Sequence, residues 1–267
     1  DSIQLIKLNS KWEKDDLLSF LEAKASLMIS WLKNISFKNG SFPLFNDSAN
    51  GILKSPSEIL EYAKKLNIHK LNLSLSDSGY RSFRFRKFEL IADVGQVGAS
   101  YQPAHAHADT FNFELCFNKV PIIVDTGIST YDLNENRINE RSTSAHNTVT
   151  VNNINSSQVW SSFRVAKRAV VNIFKDSSKH LIASHNGFGS FGIIHKREWI
   201  LLKDKIKIID FINKPKKATA NFHFHPDVKL DIIKNYLLIN QKIKISFKNF
   251  LEIKISDYFN NSEFNNP

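Results

Sequence analysis

The chain has 267 residues, 42% hydrophobic and 12% aromatic, enough for one large domain or two small ones with a proper core. Its single cysteine, Cys116, excludes an internal disulfide and with it a disulfide scaffold. No apolar run reaches the roughly 18 residues that a membrane-spanning helix needs, and the formal net charge is +10.

Residues 15–34 are predicted to form an amphipathic helix. Leu17, Leu21, Met28 and Leu32 make one apolar stripe, with Phe20, Leu27 and Trp31 beside it. Residues 42–51 read as a structured loop, in which Asp47 or Asn50 either meets a ligand or makes an ordinary turn. A second helix starts at Ser55: Pro56 suits its first position, and Glu58 completes a capping box. Two helices cannot bury both of their faces alone, so a larger helical domain is expected, mostly upstream of Asp1.

Composition changes near residue 76, which divides the chain into a helical part, 1–75, and a β part, 76–267. From Gly79 onward come short alternating runs rich in Ile, Val and Phe, at 80–86, 111–117, 163–174, 206–212, 221–225 and 250–256. Repeated short strands between Asn, Asp, Gly and Lys turns indicate a mostly β fold with N-terminal helices, built as an antiparallel sandwich. Residues 260–267 are expected to fray. Twelve of the 28 lysines lie between Lys203 and Lys254 and alternate with Ile, Leu and Phe, as the solvated faces of strands would. The basic excess reflects either a drift in composition or attraction to a polyanion. No nucleic-acid module accompanies it, so nucleic acid is not an expected partner.

The residues that carry chemistry crowd into one stretch. His105, His107 and Asp109 stand at i, i+2 and i+4, on one side of an extended backbone. Asp125 follows an apolar run and precedes the turn residue Gly127, and His146 stands just before another strand. Two imidazoles and a carboxylate on one face can hold a metal, perform acid/base chemistry, or both. On local spacing Asp109 is a candidate metal ligand, or it orients a histidine from behind. His223 and His225 read as a sheet face, His69 and His180 as surface residues. His185 and His195 flank a hairpin tip that a substrate could reach.

Five ordered blocks carry a resemblance. They are Gly95-Gln96-Val97-Gly98, Gln102-Pro103-Ala104-His105-Ala106-His107-Ala108-Asp109, Val124-Asp125-Thr126-Gly127, Arg141-Ser142-Thr143-Ser144-Ala145-His146-Asn147-Thr148-Val149 and Phe163-Arg164-Val165-Ala166-Lys167-Arg168-Ala169. Together they resemble the heparinase II/III family of polysaccharide lyases over residues 79–170, with weaker similarity at 42–66, 185–188 and His195. The resemblance implies an (α/α) toroid followed by an antiparallel β-sandwich, with this chain keeping the last toroid helices and much of the sandwich. It makes His105 catalytic and His107, Asp125 and His146 the ligands of zinc, either a structural ion beneath the cleft or a catalytic one. The family's tyrosine and asparagine from the toroid have no match here. They are expected upstream of Asp1, so this chain alone is expected to have little activity.

The implied substrate is an acidic polysaccharide containing uronic acid. Its β-elimination removes the C5 proton and expels the C4 oxygen, which requires a base, an acid and neutralisation of the sugar carboxylate. Arg141 is the candidate for that carboxylate, since guanidinium matches it in a bidentate way. Otherwise it makes a structural ion pair with Asp132, Glu135 or Glu140. Gln102 and Tyr131 complete the expected substrate-facing set. The expected location is a bacterial periplasm or cell envelope. Competing readings are a non-catalytic, zinc-stabilised carbohydrate-binding or assembly protein, and a zinc hydrolase with Glu114 as base. Strand alternation places Glu114 off the histidine-facing side, and no paired carboxylates suggest a glycoside hydrolase.

Overall fold

A computed structural model describes residues 2–8, 15–52, 54–214, 216–234, 236–261 and 264. Three helices come first, α1 (Ser2–Leu8), α2 (Asp15–Ile35) and α3 (Pro56–Lys65). The capping box at α3 forms as its sequence demands: the Glu58 amide donates to Ser55 Oγ at 3.3 Å, and the Ser55 amide donates to the Glu58 carboxylate at 2.9 Å.

The strands then make two four-stranded antiparallel sheets. The first runs in order β1 (Tyr80–Phe85), β2 (Phe88–Asp93), β3 (Phe113–Phe117), β4 (Val120–Ile123). A short helix, α4 (Glu135–Glu140), and three short strands follow: β5 (Val149–Val151), β6 (Gln158–Trp160) and β7 (Arg164–Ala166). The second sheet contains β8 (Val171–Ser177), β9 (His180–Phe188), β10 (Ile193–Leu201) and β11 (Ile206–Ile212). Later β12 (Ala218–Ala220) pairs with β5, and β13 (Leu230–Ile233), β14 (Tyr236–Ile239) and β15 (Ile243–Ser246) form a three-stranded meander.

Strand alternation explains how the layers meet. Leu90, Ala92, Phe113 and Ile122 of the first sheet share one buried cluster with Leu181, Ala183, Trp199 and Leu201 of the second. The opposite face of the first sheet carries Ile91 and Cys116, which pack with Ile35, Phe37, Phe45 and Leu75. The end of α2 therefore covers the back of the sheet through Trp31 and Leu32. The expected stripe on α2 is only partly buried: Met28 is 69% exposed, and Leu17 and Phe20 also face solvent. Only the last turns of α2 reach the sheet; farther back the helix lies against α1 and α3, and Leu17, Phe20 and Met28 stay in solvent.

Three expected strands turn out differently. Residues 163–174 break into β7 and β8, with Lys167 between them at φ +43°. Residues 221–225 make a single bridge, Phe224 to Ile123, flanked by backbone bonds from Val124 to His223 and from His225 to Ile122. Residues 250–256 alternate in sequence but form no strand pairing among the described residues. The expected fraying fails at Asn261, whose amide donates to the Thr126 carbonyl at 2.7 Å and whose side chain donates to Glu140 at 3.0 Å. Residues 262, 263 and 265–267 lie outside the described residues. Among the described residues no helix is long and apolar enough to cross a membrane.

This topology selects one end of the first sheet for chemistry. β2 and β4 finish there, and β3, antiparallel to both, begins there. The segment from Val94 to Asn112 and the segment after Ile123 therefore emerge side by side.

Candidate active site

The centre of this end is a residue from the N-terminal loop. Asp47 is buried, and one carboxylate oxygen faces His105 Nδ1 at 2.7 Å while the other faces His107 Nε2 at 2.8 Å. Arg137, from α4, closes on both oxygens at 2.5 and 2.8 Å. The neighbouring Asn46, at φ +53°, accepts the His107 amide at 3.1 Å. The structured loop expected at 42–51 thus clamps the His105–His107 segment.

A carboxylate only accepts, so each imidazole nitrogen facing Asp47 carries the proton. His105 is thereby held with Nδ1–H toward Asp47 and Nε2 as its basic lone pair. Its side chain is 64% exposed. His107 shows the reverse tautomer, with Nδ1 as the lone pair, and it is completely buried. The two histidines lie on the same carboxylate yet face different surroundings. Burial pushes the His107 pKa down to about 4 despite its bond to Asp47. Burial alone would raise Asp47, but hydrogen bonds and charge from His107 and Arg137 hold its carboxyl below the usual range.

The second half of the site comes from the segment after β4. Asp125 Oδ2 accepts from His146 Nδ1 at 2.7 Å and from the Asn112 side chain, and Oδ1 accepts the Gly127 amide at 2.9 Å. Burial disfavours the His146 cation, yet the facing Asp125 carboxylate raises its pKa overall. The rings of His107 and His146 lie 5.3 Å apart. Two asparagines lock this layer. Asn112 Oδ1 accepts the Phe113 and Asn147 amides, and the Asn147 side chain donates to the Phe113 and Val124 carbonyls. Glu114 sits off the histidine side, as alternation required. It accepts the Leu44 amide at 2.7 Å and the Asp125 amide at 3.2 Å, which joins the loop to the strand.

The buried polar atoms test whether a metal suits this place. His107 Nδ1, His146 Nε2 and Asp109 Oδ2 are buried with no hydrogen-bond partner. An orphaned buried group costs about 1–3 kcal/mol. Two imidazole lone pairs beside the Asp125 and Asp109 carboxylates have the chemistry that zinc takes. As the side chains stand, no three His, Cys, Asp or Glu among the described residues are grouped to hold an ion. The donor set fits zinc in kind, and Asp125 is engaged with His146 instead of free.

A cavity of about 560 Å³ opens beside His105, lined also by Tyr80, Asp93, Gln102, Asp109 and Thr110. Neither lysine nor arginine lines it. Gln102 is exposed on this rim, and the half-buried Tyr131 ring stands 5.9 Å from the His105 ring. Arg141 is placed otherwise. It is 1% exposed, makes no ion pair among the described residues, and its guanidinium donates to the Ala106 and Ser161 carbonyls at 3.0 Å each. Neither reading of Arg141 from sequence matches this position, because the turn beside it presents carbonyls that take both terminal nitrogens of its guanidinium, while Nε is left without a partner.

His185 and His195 do not reach substrate either. They pair across β9 and β10, buried, in a chain that runs from the Gly187 amide through His185 and His195 to Asp210. Arg197 joins Asp210 at 2.6 and 2.9 Å and donates to the Phe111 and Asn147 carbonyls. This polar core supports both chemistry-bearing segments from the second sheet.

Comparison with known proteins agrees with this architecture. No curated protein matches the chain. Among solved structures, a heparinase III is similar with a TM-score of 0.59 at 18% identity, over 77% of this chain and 35% of that one. The heparan sulfate lyase HepC from Pedobacter heparinus gives 0.58 at 19% identity, over 79% of this chain and 36% of that one. The chain thus spans about a third of the length of these proteins, and the likeness at such identity is one of fold. The family model "Heparinase II/III-like, C-terminal" matches residues 70–256, and the chain belongs to that family.

Proposed function

We propose that this chain is part of a larger polysaccharide lyase that cleaves a uronic-acid-containing glycan by β-elimination. One observation carries the reading: His105 is exposed on a cavity rim, with Nδ1 tied to a buried carboxylate and Nε2 left as the base. An imidazole oriented in this way suits removal of a weakly acidic carbon-bound proton near neutral pH. His105 takes the C5 proton of the uronate, the C4–C5 double bond forms as the C4–O bond breaks, and the imidazolium returns that proton to the departing oxygen. Gln102 and Tyr131 contact the neighbouring sugar. Tyr131 is half-buried, and burial together with Asp47 raises its pKa above the usual phenol value. The similar solved structures are a heparinase III and a heparan sulfate lyase, which supports a glycosaminoglycan as substrate.

The test is absorbance of unsaturated uronate after incubation with heparan sulfate, chondroitin, hyaluronan and alginate. Product from one of them is the expected result when this domain works together with a toroid domain, and little product is expected from this chain alone. Binding of a glycan without product from the two domains together would favour the non-catalytic carbohydrate-binding reading.

Zinc belongs to the same proposal, with His107, Asp125 and His146 as ligands and Asp109 as a neighbouring carboxylate. When bound, it would supply a positive charge that fixes the two segments under His105. Elemental analysis should find one zinc per chain. Removing it with a chelator should lower thermal stability, because affinity for a metal that binds only the folded state adds to folding free energy. His107→Ala should lose both the metal and that increment. A metal-free protein whose melting temperature ignores the chelator would sink the zinc assignment.

A further inference from the structure

Two buried arginines are committed to the backbone of one surface hairpin. β6 and β7 pair only with each other, with Trp160 opposite Arg164, which leaves Ser161, Ser162 and Phe163 as the turn. Ser161 sits at φ +52°. Arg141 Nη1 donates to the Ser161 carbonyl at 3.0 Å and the Trp160 carbonyl at 3.5 Å, and its Nη2 reaches the Arg164 carbonyl at 3.3 Å. Arg137 Nε donates to the Ser162 carbonyl at 3.1 Å. A lone two-stranded hairpin is marginal in water. Here the position of its tip is set by charge-assisted bonds from the same two side chains that border the Asp47 clamp.

That tip carries two exposed aromatic residues, Phe163 at 39% and Trp160 at 45%. The Phe163 ring lies 5.6 Å from the His105 ring and 5.4 Å from Tyr131. The Arg137 guanidinium lies 5.2 Å from the Tyr131 ring and 5.4 Å from that of Phe163. A solvent-facing aromatic wall therefore stands directly against the exposed imidazole. Folding gains little from leaving such rings in water. A pyranose ring has an apolar face of carbon-bound hydrogens that packs on an aromatic surface while its hydroxyls remain hydrated.

We propose that Phe163 at the β6–β7 tip, with Tyr131 beside it, is a stacking wall that holds a sugar ring of the glycan beside His105, close to Trp160 on the same hairpin. Arg141 is the positioning residue that sets the wall in place. The inference takes the glycan from the lyase reading but does not need elimination to occur.

Hexasaccharides of heparan sulfate, chondroitin, hyaluronan and alginate, titrated into the intact chain, test the wall by intrinsic tryptophan fluorescence. At least one should bind and change the emission, and Trp160→Phe should remove that change. Phe163→Ala should weaken binding about five- to tenfold. Phe163→Tyr should retain affinity, and Phe163→Leu should not, which separates an aromatic requirement from a merely apolar one. Where product forms, the loss should appear in KM with kcat nearly unchanged. Arg141→Lys should reproduce the Phe163→Ala loss, and the double variant should lose nothing more. Phe163 is exposed, so its variants should fold even if those of Arg141 do not. Unchanged affinity in Phe163→Ala, or binding of none of the four probes, would overturn the wall. Binding without elimination, with a toroid domain present, would count against the lyase reading alone.

Discussion

Replacing Asp47 with alanine is expected to cost about 3–5 kcal/mol of stability and to lower Tm by about 10 °C. The size follows from what the carboxylate holds. Arg137 is completely buried, and both of its bonds to Asp47 would be lost, leaving a guanidinium in the interior with one backbone carbonyl for a partner. His107 would lose the acceptor that fixes its tautomer. Asp47→Asn keeps the shape but turns an amide donor toward groups that are already donors, so it should also be strongly destabilising. The acid limb of the stability profile is a second readout. Asp47 is an acid whose folded pKa is depressed, so its contribution is complete above the unfolded value near 4 and is lost as pH falls through the folded value. Wild type should shed this stability below about pH 4, and Asp47→Asn should lack that component. Thermal melts of the two proteins between pH 3 and 7 provide the comparison. A loss under 1 kcal/mol in Asp47→Ala would mean that the clamp is incidental.

Asp47 also shows what the sequence could and could not convey. The His105–His107 pair, Asp125 and His146 stand out because their spacing and surroundings are unusual, and the folded chain brings all four to one end of the first sheet. Asp47 lies in a stretch of Asn, Asp and Ser that any turn could contain, and its partners are 58 to 90 residues away. Arg137 is equally silent, since an arginine in a short helix normally faces water. Their pairing exists only once β2, β3 and β4 have set the segments side by side. The same limit explains residues 250–256: alternation is necessary for a strand, but a strand also needs a neighbour to pair with. Arg197 and Asp210 sit in β10 and β11 at positions that look like ordinary polar faces, yet Arg197 is buried, paired with the half-buried Asp210, and supports Phe111 and Asn147. The capping box at Ser55 was legible because both of its groups lie within four residues.

His105→Ala is expected to lower elimination by about 10²- to 10⁴-fold while leaving the fold and the metal content as they were. The two halves of this expectation rest on different observations. The rate loss follows from Nε2 of His105, the ring nitrogen that Asp47 leaves free on an exposed side chain lining the open cavity. The intact fold follows from exposure. His105 is a mostly solvated side chain, and its removal leaves Asp47 still held by His107 and by both nitrogens of Arg137. Surface changes of this kind typically shift stability by no more than about 0.5 kcal/mol. The contrast with His107→Ala is the informative part, because the two imidazoles share one carboxylate and stand two positions apart. If His105→Ala lost zinc and His107→Ala kept it, the roles would be reversed. If His105→Ala bound glycan normally and still formed unsaturated product at the wild-type rate, the base would lie elsewhere, and the Asp47–His105 couple would be a structural contact only.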